Sequence, residues 1–221
     1  MGFNIMLLVP PSEIETDVHD RYQWTKKLEN LIPDVQVTVA LSQAEAKELI
    51  PEADAAYGDI VPEVFMYAKR LKWIACPHAG PKSGYYHQDL IESDVTVTNT
   101  RGIYPFISIH IMALVMAFAR DIPTYLHNQL EGKWDPVSNG IYLPHSTVVV
   151  VGVGGIGAET ARICSEFGIN VIGVDPRIDL PPPGVSDLRK PDEMHAVLPL
   201  ADFVVLTVPE TPQTIGFFGE N

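Results

Sequence analysis

The run Thr147-Val148-Val149-Val150-Val151-Gly152-Val153-Gly154-Gly155-Ile156-Gly157, with Asp175 further along, decides how this chain folds. Four consecutive valines are stiff at χ1 and suit a central parallel strand buried on both faces. The glycines follow that strand directly in the spacing GxGxxG. They open a helical stretch, residues 155–167, that stops at Gly168, a residue suited to the left-handed position past a helix end. A second strand, 171–174, leads into Asp175, which stands 18 residues after Gly157, close to the ~20 expected for a dinucleotide-binding βαβ unit.

Each residue of the motif has a mechanical part. Gly152 permits the tight turn, Gly154 lets the backbone approach a pyrophosphate, and Gly157 lets the helix pack close to the strand. The N–H groups near Gly155 and Ile156 sit at a helix N-terminus, where the dipole favours anions. Asp175 is positioned to accept hydrogen bonds from the adenosine ribose, and its charge repels a 2′-phosphate. The cofactor expected is therefore NAD(H), with Arg177 two residues on working against that preference.

Upstream, apolar runs and helical patterns alternate. Strands are expected at 5–9, 35–39, 53–57, 73–76 and 95–98. Helices are expected around 22–31, at 44–50 behind a Ser42/Glu45 capping box, and from Pro62 to about Arg70. Five strands with helices between them imply a parallel, flavodoxin-like sheet. Residues 102–119 are almost wholly apolar but contain Pro105, Ser108 and His110. They are read as a helix buried between domains or subunits and not as a membrane span. A second helix is expected near 124–130. Downstream of the glycine motif come a turn at Pro181-Pro182-Pro183-Gly184, a weak helix at 194–198, a strand at 203–208 and a loop to Asn221. The organisation read is α/β: a flavodoxin-like substrate domain, residues 1–101, then an incomplete Rossmann domain, 102–221, holding only the first half of a doubly wound sheet, about three strands.

Composition narrows the function. The chain has 221 residues, 46% of them hydrophobic, enough for a core. Its formal charge of −13 opposes binding to phosphate backbones and anionic lipid, so neither nucleic acid nor membrane is an expected partner. Cys76 and Cys164 match no metal or redox spacing and read as reduced core thiols of a cytoplasmic protein. The seven histidines show no metal-ligand spacing, and no metal is expected. The N-terminus lacks a basic leader and reads as a strand. Among polar residues near the expected clefts, His110 reads as a core histidine, Tyr104 lies at the start of the apolar helix, Tyr85, Tyr86 and His87 read as packing, Glu210 as solvated, and His195 is assigned nothing.

With these residues in view, the chain resembles the D-isomer-specific 2-hydroxyacid dehydrogenases, as the N-terminal portion of such a protein. Three blocks carry the resemblance: Leu71-Lys72-Trp73-Ile74 through Ala79-Gly80; Val97-Thr98-Asn99-Thr100-Arg101-Gly102 with the apolar helix; and the glycine unit with Asp175, followed by 201–206 and Val208-Pro209-Glu210-Thr211-Pro212-Gln213-Thr214. The resemblance implies hydride transfer between NAD(H) and a small 2-hydroxy or 2-oxo acid. It places the substrate carboxylate on backbone N–H groups of Ala79 and Gly80, with His78 beside them. Val208, Pro209 and Thr214 fall beside the cofactor. The family's Arg, Glu and His, which polarise the oxo group and pass the proton, match no residue here, so no catalytic residue is assigned and the chain alone is expected to be inactive. Two further departures are Pro81, where an N–H is common, and Ile109, where an acid is common. The apolar helix resembles the family's dimer arm and implies a homodimer. A non-catalytic NAD(H)-binding protein or inactive remnant, and an enzyme built like alanine dehydrogenase or adenosylhomocysteine hydrolase, are the alternatives.

Overall fold

Parallel strands joined by helices organise both parts of the chain. A computed structural model describes residues 2–8, 15–80, 84–100, 102–136, 140–211 and 213–219, without the side chains of 15–22. Val9, Pro81, Arg101 and Pro212, which figure in the sequence reading, lie outside the described residues. The chain divides into two compact units, residues 1–100 with 209–221, and residues 101–208.

In the first unit, β1 (Phe3–Leu8), β2 (Val35–Ala40), β3 (Ala55–Tyr57), β4 (Trp73–Cys76) and β5 (Thr96–Asn99) form one sheet in the order β2-β1-β3-β4-β5. Every pairing is parallel, which is the flavodoxin-like winding. The helices are α1 (Glu15–Leu31), α2 (Gln43–Leu49), α3 (Pro62–Phe65) and α4 (Gln88–Ile91). Met6, Leu8, Ile60, Val64 and Ile74 are among the residues that close the core.

Two local expectations are corrected here. The Ser42 hydroxyl accepts from the Glu45 N–H, but the Glu45 carboxylate accepts from Leu41 N–H, one residue before the cap. The helix from Pro62 ends at Phe65 instead of Arg70. Its last bonds are of the i→i+3 type (Tyr67 N–H to Val64 O, Ala68 N–H to Phe65 O). Arg70 is drawn off to Asp54, whose carboxylate it grips at 3.0 and 3.1 Å. Asp54 also accepts from Asn4 N–H. That bond and the Arg70 guanidinium hold its carboxyl below the usual range although it is buried.

In the second unit, β6 (Thr147–Val151), β7 (Asn170–Val174), β8 (Asp187–Arg189) and β9 (Phe203–Leu206) run parallel in the order β8-β7-β6-β9. The strand β8 is short, charged and half-buried, so no apolar run announced it. The sheet thus has four strands and not three, and β9 has already crossed to the far side of β6. The helices are α5 (Tyr104–Ala119), α6 (Ile122–Leu130), α7 (Gly155–Glu166) and α8 (Met194–Val197).

The apolar helix α5 is not buried all round. Ser108, Met112, Val115 and Ala119, spaced four, three and four apart, face the core. Phe106 (75% exposed), Ile109 and Phe118 do not. His110 is exposed as well, because it lies off that stripe, which corrects its reading as a core histidine. Asp121, at φ 56°, breaks the chain between α5 and α6, which meet at a 66° bend. Among the described residues no single helix is long and apolar enough to cross a membrane.

Candidate functional site

The glycine motif sits where β6 ends and α7 begins. In the order β8-β7-β6-β9 the connections out of β6 and β9 leave in opposite directions, so the crevice outside their carboxyl ends is the expected ligand position of a doubly wound sheet. Gly152 turns the chain at φ 89°, and a Cβ there would lie 2.8 Å from Val208 Cγ1 and 2.9 Å from Val208 N. The need for glycine therefore comes from the exit of β9 as well as from the turn, and Val208 is brought to the motif. At Gly157 a Cβ would stand 2.0 Å from the Gly152 carbonyl oxygen. That oxygen accepts a 2.6 Å bond from the Thr207 hydroxyl.

Gly154 is the N-cap of α7, and no side chain caps this helix. A Cβ on Gly154 would meet nothing within 4 Å. The first-turn N–H groups of Gly155, Ile156 and Gly157 are thus left to an incoming acceptor, and the space over Gly154 is open. The Ile156 carbonyl is fixed from outside the helix by the buried Ser108 hydroxyl of α5, at 3.1 Å. Gly155 is covered by Tyr104: a Cβ there would lie 1.9 Å from its ring. A cavity of about 450 Å³ adjoins this contact, lined by Tyr104, Gly155, Glu159 and Arg162 among others. It shares Gly155 with the glycine loop but does not include Asp175 or Val208, so it flanks the crevice and is not the crevice itself.

Asp175 is only 1% exposed. One carboxylate oxygen accepts from Val153 N–H at 3.0 Å and the other from Arg177 N–H at 2.9 Å, with Arg177 Nε at 3.8 Å. The acid at the end of β7 therefore also clamps the glycine loop, a role the motif spacing does not disclose. A carboxylate has about four acceptor positions, and these two N–H groups use two of them.

Pro209 and Thr214 belong to the first compact unit and hold each other: the Thr214 hydroxyl donates to Pro209 O at 2.6 Å and accepts from Thr211 N–H at 2.8 Å. His78, Ala79 and Gly80 follow β4 at the carboxyl edge of the first sheet. His78 Nε2 lies 3.0 and 3.1 Å from the two Asp59 oxygens, and Asn99 Nδ2 donates to Ala79 O at 2.7 Å. Gly80 is exposed, with nothing near its absent Cβ. The sequence reading passed over Asp59 and gave Asn99 no role of its own, since each lies about twenty positions from its partner. Tyr85, read as packing, is buried with no hydrogen-bond partner for its hydroxyl among the described residues. Burial, then Cys76 and Asp59, push that phenol upward from its ordinary value. Cys76 and Cys164 are buried free thiols, and burial raises Cys164 to about 11. Among the described residues no three His, Cys, Asp or Glu side chains gather as a metal site.

A parallel sheet with an uncapped glycine-opened helix and an acid after the next strand defines the class: an α/β protein with a dinucleotide-binding βαβ unit. Residues 112–221 match the family model of the D-isomer specific 2-hydroxyacid dehydrogenase NAD binding domain. The chain belongs to that family, whose members are oxidoreductases acting on the CH–OH group of small 2-hydroxy acids.

Among curated relatives, the D-3-phosphoglycerate dehydrogenase of Methanocaldococcus jannaschii is 28% identical over 196 residues, which is 86% of this chain and 37% of that protein. The hydroxypyruvate reductase of Thermotoga maritima is 30% identical over 183 residues, 79% of this chain and 57% of that protein. The chain thus spans little more than a third of the first relative and under three-fifths of the second. Among solved structures, the D-isomer specific 2-hydroxyacid dehydrogenase from Xanthobacter autotrophicus, in complex with NADPH and MES, matches at TM-score 0.77 and 24% identity over 95% of this chain and 65% of that one. The glyoxylate/hydroxypyruvate reductase of Sinorhizobium meliloti, in complex with NADP and sulfate, matches at TM-score 0.78 and 22% identity over 96% of this chain and 64% of that one. Both likenesses concern the fold.

Proposed function

We propose that this chain is the NAD(H)-binding and carboxylate-binding portion of an oxidoreductase that moves a hydride between NAD(H) and a small 2-hydroxy or 2-oxo acid. One observation carries the reading: an uncapped helix, α7, opens onto clear space at the crevice of a doubly wound sheet, beside the buried acid Asp175. Residues 102–221 take the nucleotide and residues 1–101 the substrate.

In this reading the N–H groups at Gly154, Gly155, Ile156 and Gly157 hold the pyrophosphate, and Gly152 with Val208 shapes the floor. Asp175 accepts from the ribose hydroxyls, and its charge favours NAD over NADP. Pro209 and Thr214 fall beside the nicotinamide end. The dinucleotide, when bound, supplies or takes up the hydride. The N–H groups of Ala79 and Gly80 hold the substrate carboxylate, with His78 alongside. No residue of these 221 takes the role of the family's Arg, Glu or His, so the chain by itself binds nucleotide without turnover. The exposed Phe106, Ile109 and Phe118 of α5 serve as a homodimer contact, and the location is cytoplasmic.

Fluorescence titration with NADH and with NADPH, run beside a turnover assay on 2-oxo acids, tests this. Micromolar NADH binding, weaker NADPH binding and no turnover are expected. Failure to bind either dinucleotide refutes the reading.

A further inference from the structure

Two side chains hold the loop after β4. Among the described residues, no backbone–backbone hydrogen bond ties positions 77–80 to the rest of the chain. Two side chains from neighbouring strand ends do so instead. Asn99, the last residue of β5, donates to Ala79 O at 2.7 Å. Asp59, two residues past β3, pairs with His78: its Oδ2 is hydrogen-bonded to Nε2 at 3.1 Å and its Oδ1 lies 3.0 Å away. Asp59 is itself placed by a tight exit from β3: Gly58 has φ 127°, its N–H donates to Ala75 O at 3.2 Å, and a Cβ there would lie 2.8 Å from Leu8 O. The sheet order β2-β1-β3-β4-β5 puts the winding reversal between β1 and β3. Asp59 therefore stands beside the crevice where a flavodoxin-like sheet takes its ligand.

We propose that Asp59 and Asn99 are positioning residues that fix the β4 loop so that the Ala79 and Gly80 N–H groups present one carboxylate site. This rests on the carboxylate role given to those N–H groups above. The division of labour follows from hydrogen-bond chemistry. The Asn99 amide fixes the Ala79 peptide through its carbonyl, and the N–H of Gly80 belongs to that same peptide plane. An ionised carboxylate only accepts, so the Asp59 pairing keeps an N–H on His78 Nε2 and fixes the orientation of the ring. Tyr85, buried and with no hydrogen-bond partner for its hydroxyl among the described residues, packs from within the unit near Cys76 and Asp59.

The test uses the full isotope-labelled chain titrated with oxalate, followed by NMR at the Ala79 and Gly80 amides and the His78 ring nitrogens. NADH affinity is measured in parallel. In the parent chain oxalate moves both amides, and the His78 ring carries an N–H at Nε2. Asp59→Ala and Asn99→Ser each weaken oxalate roughly tenfold, the loss of one fixed hydrogen bond. Asp59→Ala also shifts the His78 ring nitrogens, Asp59→Glu recovers part of both effects, and NADH affinity holds in all three. Variants that bind oxalate like the parent, with unaltered loop amides, overturn the positioning role. A parent chain that binds NADH but leaves both amides unmoved by oxalate overturns the carboxylate reading and this inference with it. A parent that responds to oxalate but not to NADH refutes only the nucleotide half of the proposed function.

Discussion

The two sheets solve the same problem by different means. Each is all-parallel and each reverses its winding, at the point where such a sheet takes its ligand outside the carboxyl ends of the strands. In the second unit that site is built from backbone brought close: Gly152 against Val208, Gly157 against the Gly152 carbonyl, and an uncapped α7. In the first unit it is built from side chains reaching across strand ends, Asp59 to His78 and Asn99 to Ala79. Backbone approach demands the absence of a side chain. A propped loop demands a particular one. The first kind of site is therefore intolerant of an added atom at Gly152 and Gly157, and the second of the loss of a single polar partner.

The largest expected effect comes from breaking the backbone kind. Gly157→Ala drives a Cβ to 2.0 Å from a carbonyl oxygen that cannot retreat without moving β6. We expect a loss of about 3 kcal/mol or more, or failure of the second unit to fold. Urea unfolding followed by circular dichroism should show it, while Trp24 and Trp73 fluorescence keeps reporting an intact first unit. Retained cooperativity of both units would show the close packing to be negotiable.

Next comes the buried carboxylate at the opposite edge of the first sheet. Arg70→Ala leaves Asp54 with Asn4 N–H and a distant Lys72, and should cost about 2 kcal/mol, the guanidinium being partly exposed. The pH dependence follows from the sign of the shift. Asp54 has a lowered folded value, so its stabilisation is present above the unfolded carboxylate range and is lost as pH falls through the folded value. Urea midpoints between neutral pH and about pH 3 should fall in the parent, and less steeply in Arg70→Ala.

Asp175→Asn sharpens the comparison, because it tests a side chain within the backbone-built site. One of the two N–H donors, of Val153 or Arg177, would face an amide N–H₂, costing about 1–2 kcal/mol and weakening NADH roughly tenfold. Equal NADH affinity in calorimetry would mean that the acid serves the loop alone. The smallest effect is expected at Gly155, where the obstacle is the end of a side chain. Gly155→Ala should lose about 1 kcal/mol, and Tyr104→Ala beside it should recover part, a non-additivity read from a double-mutant cycle.

The difference between the sites also explains what could be read in advance. The glycine loop occupies contiguous positions, and its chemistry is the lack of side chains, so spacing reveals it. The parallel, flavodoxin-like class of the first sheet followed from apolar runs alternating with helical patterns. Strand β8 did not, because Asp187, Leu188 and Arg189 carry no apolar pattern and are held by register with Ile172, Gly173 and Val174. The early end of α3 was equally hidden, since Arg70 is drawn to a carboxylate sixteen positions earlier. The outward face of α5 was hidden by composition, as both faces are apolar and only its packing against α7 distinguishes them.

By itself the sequence determined the class: two α/β units, a dinucleotide loop at Gly152–Gly157 and an acid at Asp175. These are local properties, settled by valine stiffness, glycine freedom and the period of strand and helix. Tertiary structure alone decided that Asp175 clamps Val153, that Gly155 lies under Tyr104, and that Asp59 and Asn99 hold the loop of His78 and Ala79. Those contacts join positions separated by 19 or more residues, and a hydrogen bond or a clash at such a separation exists only once the sheets have brought the strand ends together.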